Sequence, residues 1–193
     1  MKKEEKSTPL IEFLLNPSSY HHNPRYVKYL QTHASHVFIA PPYVYKIKKP
    51  VNFGFLDFST LDKRKYYCEK EVELNRRICD AYIGVEEIST RNGDFLFGKE
   101  NKTIEYAVKM MKLPDKYFLK NLLRMDRVTE DDLLRVIEKL VQFYQRQSVK
   151  EDISKYGKLE MIRTNVDESL SISARFIGKT ISKATYDAIR FYN

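Results

Sequence analysis

Three charged residues in the first half of the chain have the types and spacing to hold a phosphate. Lys46 and Lys48 lie two apart in the β-like run Tyr43 to Lys48, so both point to one face of a strand, with Val44 on that side and Tyr45 and Ile47 on the other. A lysine on the concave face of a sheet needs a counter-charge. The helical stretch that follows supplies Glu71, on one stripe with Cys68, Asn75 and Ile78. A lysine held extended by such a carboxylate can bridge phosphate oxygens, and the carboxylate orients it while compensating its charge. A basic strand end followed by an acidic helix also describes an ordinary solvated surface, so the surrounding elements have to decide.

Local signals set this pair in a small sheet. Ser7-Thr8-Pro9 offers a cap with proline at the first helical position, and Leu10, Ile11, Leu14 and Leu15 repeat at helical spacing until Pro17, so a short amphipathic helix opens the chain. Three β-like runs follow, Tyr26 to Thr32, His36 to Ala40 and Tyr43 to Lys48, with Pro41-Pro42 keeping the second connection tight. They read as an antiparallel meander. The aromatic stretch Pro50 to Phe58 predicts a loop whose rings cover the open side of the sheet. Ser59-Thr60 with Asp62 predicts the start of a helix, and Leu61, Lys65, Cys68, Val72, Asn75 and Ile78 carry its spacing to about Asp80.

Ile83 to Ser89 and Thr103 to Met111 read as two more strands, with a short Phe95 to Phe97 strand beside the turn Asn92-Gly93-Asp94. From Pro114 the period is helical. Thr129 caps an acidic first turn, and Leu133, Val136, Ile137, Leu140, Val141 and Tyr144 form one apolar stripe. Shorter helices are expected around Val166 to Ile177 and Lys183 to Tyr192. The join at Met110 to Pro114, between the β-rich and helical parts, is a common place for a ligand cleft.

Composition narrows the function classes. An apolar fraction of 42% over 193 residues suffices for an ordinary core. No run of about 18 apolar residues could span a bilayer, and the start, Met1 to Lys6, lacks the apolar stretch of a secretory signal. No membrane association and a cytoplasmic location are therefore expected. Cys68 and Cys79 fall about 16 Å apart along one predicted helix, too far to bridge, which suits a reducing compartment. The histidines His21, His22, His33 and His36 stand at no metal-ligand spacing with them, which argues against a metal held by protein ligands alone.

A net charge of +8 invites nucleic acid, but the 34 basic residues are spread along the chain among 26 acids and accompany no recognition motif, which argues against that partner. The excess can equally attract a nucleotide triphosphate. Ser148, Ser169 and Ser171 lack a histidine-acid constellation and read as caps or surface, and Tyr20, Tyr26 and Tyr29 read as sheet-face residues rather than base-stacking platforms.

Several segments together resemble a bacterial branch of the aminoglycoside-phosphotransferase-like kinases. They are Thr32-His33-Ala34-Ser35-His36-Val37-Phe38, the long block Val44 to Leu61, Glu71 to Ile78, Tyr82-Ile83-Gly84-Val85, and Glu105-Tyr106-Ala107-Val108-Lys109-Met110. The resemblance is strongest from Thr32 to Pro114. It implies that the Thr32 to His36 turn replaces a glycine-rich loop and brings Ser35 and nearby amides to the phosphates. It implies that Lys46 is the ATP-contacting lysine, with Lys48 the competing assignment, and that Glu71 is its helix partner. It further implies that Val108 to Leu113 is the hinge, where backbone groups of Lys109, Met110 and Met111 pair with the base while Met110 or Met111 packs on its ring.

The chain also departs from that family. The His-Gly-Asp-containing segment that carries the catalytic Asp and leads to the magnesium ligands has no counterpart, and none of the aspartates after Pro114 sits in a comparable motif. The chain has only six glycines, and the resemblance ends near Tyr186 to Asn193, inside a helix that would precede the catalytic loop; truncation, a split gene or a fragment would each explain this. Tyr144 stands where the family often has His. The expected fold is α+β: a kinase-like N-terminal lobe of about five antiparallel strands, one long helix and an N-terminal helix over residues 1–112, then an incomplete helical lobe over 113–193.

The expected function is ATP or GTP binding, with magnesium arriving on the nucleotide, as part of a small-molecule phosphotransferase not competent alone. The acceptor is an unspecified small molecule, and a second chain or domain would supply the missing catalytic half. The alternative is a non-catalytic scaffold that docks a partner through Phe53 to Phe58.

Overall fold

The computed structural model describes residues 8–100, 102–148 and 151–192, the side chains of Glu151 and Asp152 excepted. Helix α1 (Pro9–Leu15) is followed by strands β1 (Lys28–Gln31), β2 (Ser35–Ala40) and β3 (Tyr43–Lys48). Then come helix α2 (Leu61–Asn75) and strands β4 (Tyr82–Arg91), β5 (Asp94–Phe97) and β6 (Lys102–Met111). Helices α3 (Leu119–Arg124), α4 (Glu130–Gln145), α5 (Glu151–Ser154), α6 (Leu159–Ala174) and α7 (Lys183–Tyr192) complete the chain. The fold is α+β, and the chain divides between Lys139 and Leu140 into two compact units.

The strands form one antiparallel sheet in the order β1-β2-β3-β6-β4-β5. The last strand in sequence is thus inserted at the centre, beside β3. The sheet has six strands rather than the expected five, because β5 pairs fully with β4 from Ile88↔Phe97 to Arg91↔Asp94. Its turn explains this: Asn92 and Gly93 both adopt positive φ, 54° and 92°, as a two-residue hairpin matched to the strand twist requires. The first strand is shorter than expected and begins at Lys28.

Each face of the sheet is covered by a different element. On one, Leu14 of α1 and Tyr20 join Phe38, Ala40, Tyr45, Ile47, Ile88, Phe97 and Ala107 in a cluster with essentially no exposed surface. Thr8 caps α1 by accepting from the Ile11 amide, and the Tyr20 hydroxyl donates to the Leu14 carbonyl at 2.6 Å, which fixes this N-terminal cover to itself. On the other face, Cys68 and Val72 of α2 pack on Tyr106 and Val108 of β6. Each fully buried side chain of this size contributes about 1.5–3 kcal/mol relative to exposure.

Thr60 caps α2 by accepting from the Lys63 amide, as the sequence predicts. The helix stops at Asn75 rather than near Asp80, and its buried residues are Arg64, Cys68 and Val72. The expected stripe is therefore out of phase at its ends: Arg64, not Lys65, turns inward, and Ile78 lies beyond the helix and is exposed. Cys79 also falls outside α2, and both cysteines are free.

The loop between β3 and α2 is itself folded. Val51 and Phe58 join by a backbone bond of 2.8 Å, Asn52 bridges Asp57, and Phe53 donates to Leu56. Gly54 at the tip has φ of 83°, a left-handed conformation that favours glycine. The expectation that its rings cover the sheet holds only for Phe58, which is buried; Phe53 and Phe55 project from the tip, and Phe55 is 89% exposed.

Beyond Met111, Thr129 and Asp132 form a reciprocal cap at the start of α4. The helix α6 begins at Leu159, earlier than expected, and α7 has the expected bounds. No residue of α3, α4, α6 or α7 is buried. No helix among the described residues is long and apolar enough to cross a membrane.

Candidate functional site

Strand β3 and helix α2 bring the three sequence-selected charges together. The Lys46 Nζ donates to Glu71 Oε1 at 2.9 Å, and the Lys48 Nζ donates to Glu71 Oε2 at 2.7 Å. One carboxylate is thus forked between two lysines, one oxygen each. The side chains differ in exposure: Lys46 31%, Glu71 13% and Lys48 5%. Pairing satisfies Lys48 where burial alone would disfavour its charge. Its ammonium also lies 4.7 Å from the centre of the Phe58 ring.

Burial pushes the Glu71 carboxyl up, but the hydrogen bonds and charges of Lys48 and Lys46 together outweigh it, so the group titrates below the ordinary glutamate range. Cys68, one helical turn before Glu71, is pushed up to about 12 by burial and is no nucleophile at neutral pH. Tyr82 of β4 is raised by burial and by the Glu71 charge.

Beneath this triad is a second buried ion pair that alternation did not reveal. The Arg64 Nε donates to both Glu105 carboxylate oxygens at 2.9 Å, and Arg64 Nη1 donates to the Phe58 carbonyl at 3.2 Å. Arg64 therefore ties α2, β6 and the end of the aromatic loop. The register between β4 and β6 slips at Ile88/Ser89, so that Thr103 and Glu105 oppose successive residues and Ile104 is extra. Ile104 packs toward the α1 side, whereas Glu105 reaches α2, the face Tyr106 also covers. Such a bulge re-aims one side chain, which is why strict alternation missed Glu105. The helical signal was present: Arg64 stands four residues before Cys68.

Ser35 opposes Lys48 across the β2–β3 pairing, on the same face of the sheet. It is buried, its amide already donates to Thr32 Oγ1 and so is not free to donate to a ligand, and its carbonyl accepts from the Thr32 amide at 2.8 Å. The tip of this turn is the exposed His33 with the part-buried Ala34, whose amides have no partner among the described residues.

At the end of β6 the three predicted residues separate. Val44 opposes Met110 and Lys46 opposes Val108, so Met110 shares the face of Lys46 and packs against the α2-side cluster. Lys109 points to the other face, where its Nζ pairs with Glu86 at 2.6 Å and lies 4.4 Å from the Tyr43 ring centre. Met111 is exposed. The Met111 amide donates to Ala81 and the Lys112 amide to Pro42, so Leu113 carries the first amide along this stretch with no partner among the described residues. No group of three or more His, Cys, Asp or Glu among the described residues is placed to hold a metal.

No family model matches the chain. Among curated proteins it is similar to uncharacterised proteins of Mycobacterium bovis and of two strains of Mycobacterium tuberculosis, at 28% identity over 153 residues, which is 79% of this chain and 29% of each relative. The chain thus spans less than a third of the length of the curated relatives it matches. No solved structure matches it.

Proposed function

We propose that the sheet and α2 form a kinase-like lobe, the nucleotide-holding part of an aminoglycoside-phosphotransferase-like small-molecule kinase that needs further chain to complete the reaction. The observation that carries this reading is the partly exposed Lys46 side chain, its ammonium held 2.9 Å from Glu71 on the face of Met110. An extended lysine with its orienting carboxylate is what positioning of phosphate oxygens requires.

In this reading ATP or GTP lies along that face. Lys46 contacts phosphate oxygens, the His33 and Ala34 amides approach them from the β1–β2 turn, and Ser35 shapes that turn rather than offering its hydroxyl. Met110 packs on the base, whose edge pairs with the Leu113 amide, since the Met111 and Lys112 amides are already hydrogen-bonded to Ala81 and Pro42. Magnesium, held on the phosphates, would supply charge neutralisation, and its protein ligands and the catalytic Asp would come from a segment outside this chain. The acceptor is a small molecule, and the length of the relatives is consistent with a further domain or chain.

The test is thermal unfolding against rising ATP with magnesium, for the wild type and Lys46→Ala. A ligand that binds only the folded state raises the midpoint by mass action. The expected outcome is a concentration-dependent rise in the wild type that Lys46→Ala abolishes. A rise of equal size in both would remove Lys46 from the site.

A second reading, a non-catalytic scaffold, is favoured by the projecting tip of the β3–α2 loop, where Phe53 and Phe55 stack at 6.3 Å in solvent. It predicts no nucleotide-dependent rise in either chain.

A further inference from the structure

We propose that Lys48 is a positioning residue: it holds Glu71 to β3 permanently, which frees the Lys46 ammonium to turn to a ligand phosphate. This rests on the nucleotide reading above and assigns the two lysines different work within it.

The first argument is charge. One carboxylate receives two ammonium groups, at 2.9 and 2.7 Å, so the cluster carries a net positive charge that an anion can use. The second is freedom to move. Lys46 retains 31% of its side-chain surface and can reach a ligand, whereas Lys48 retains 5%. The Lys48 ammonium is covered by the Phe58 ring, and Phe58 is itself fixed, its amide to Val51 and its carbonyl to Arg64. Lys48 is thus held between Glu71 and a fixed ring, with little surface of its own.

The third argument is what would happen with one lysine. If Lys46 alone balanced Glu71, drawing its ammonium toward phosphate would leave a largely buried carboxylate uncompensated beside an incoming polyanion. With Lys48 in place Glu71 keeps a partner throughout, and its other oxygen still steers Lys46. Tyr82 from β4 and Cys68 on α2 also feel the Glu71 charge, and both are neutral near pH 7. The Arg64–Glu105 pair below is balanced in charge.

Two measurements test this. The first, independent of nucleotide, follows the Glu71 carboxyl by NMR titration in the wild type, Lys46→Ala and Lys48→Met. The Glu71 midpoint is expected to rise more in Lys48→Met than in Lys46→Ala; an equal or larger rise in Lys46→Ala overturns the proposal. Should Lys48→Met fail to fold, Lys48→Gln, which keeps a donor and removes the charge, is read the same way.

The second is MgATP affinity by calorimetry. Lys48→Met is expected to weaken binding about tenfold in the wild-type background and less than about twofold in the Glu71→Gln background, because a residue that acts through Glu71 has nothing to act on there. The same loss in both backgrounds overturns the positioning role. If the wild type binds no MgATP, the nucleotide reading and the phosphate half of this proposal fall together, and the titration alone decides whether Lys48 is the permanent partner of Glu71.

Discussion

From Leu14 to Val108 the chain buries apolar side chains on both faces of a sheet and closes two ion pairs beneath α2, whereas from Leu119 onward its helices bury none of theirs. The apolar spacing is as regular in the second region as in the first. Leu133, Ile137, Leu140 and Tyr144 recur along α4 at helical spacing, and each is 41–68% exposed. What differs is the origin of the order. In the first region elements are fixed by residues far away in sequence: Arg64 by Glu105, Lys46 and Lys48 by Glu71, and Leu14 by the sheet. In the second, order rests largely on neighbours, as in the Thr129–Asp132 cap and the Lys183–Asp187 pair, and the Tyr186 hydroxyl of α7 reaches the Leu170 carbonyl of α6 at 3.3 Å. Helical periodicity is a local property, and burial is not.

The sharpest way to break this comparison is to truncate one apolar residue in each region. Phe38→Ala empties a fully buried site and is expected to cost ~3–5 kcal/mol in urea unfolding. Ile137→Ala, on the exposed stripe of α4, is expected to change stability by less than about 0.5 kcal/mol. A cost above ~2 kcal/mol at Ile137 would mean that α4 buries its stripe in solution and that the two regions are alike.

A smaller effect comes from pH. The folded Glu71 carboxyl titrates below its ordinary value of 4.5, because Lys48 and Lys46 outweigh its burial. A carboxyl lowered on folding contributes stability that is complete above the unfolded value and is lost as pH falls through the folded one. The unfolding free energy of the wild type minus that of Glu71→Gln is therefore expected to be constant from pH 7 to about 5 and to shrink below 4.5. A difference that stays constant down to pH 3 would show that Glu71 is not ion-paired in the folded chain.

What could be read from the residues follows the same division. Lys46, Lys48 and Glu71 were legible because period two on a strand and period 3.6 on a helix each fix a face, and both faces point at one another. The caps at Thr8, Thr60 and Thr129 were legible because they are local chemistry. Glu105 was not, since a bulge breaks the alternation that would have assigned it. The full pairing of β5 depended on a two-residue turn whose positive φ values the dipeptide Asn92-Gly93 permits but does not impose. The separate placement of Lys109, Met110 and Met111 follows from alternation once β6 is known to pair with β3, a topology that the order of strands along the chain does not give.

The smallest expected effect tests the local side of the comparison. Lys183 donates to Asp187 one turn along α7 at 2.7 Å, with both side chains more than half exposed. Such a pair gains little Coulomb energy in water and loses side-chain entropy, so Asp187→Ala is expected to change stability by no more than ~0.5 kcal/mol, with the change further reduced in high salt. Urea unfolding at low and high ionic strength, with helix content followed by far-UV circular dichroism, measures both quantities. A loss above ~1 kcal/mol that persists in salt would show that α7 is held by packing, of which the Tyr186–Leu170 contact is one part, rather than by its own turns.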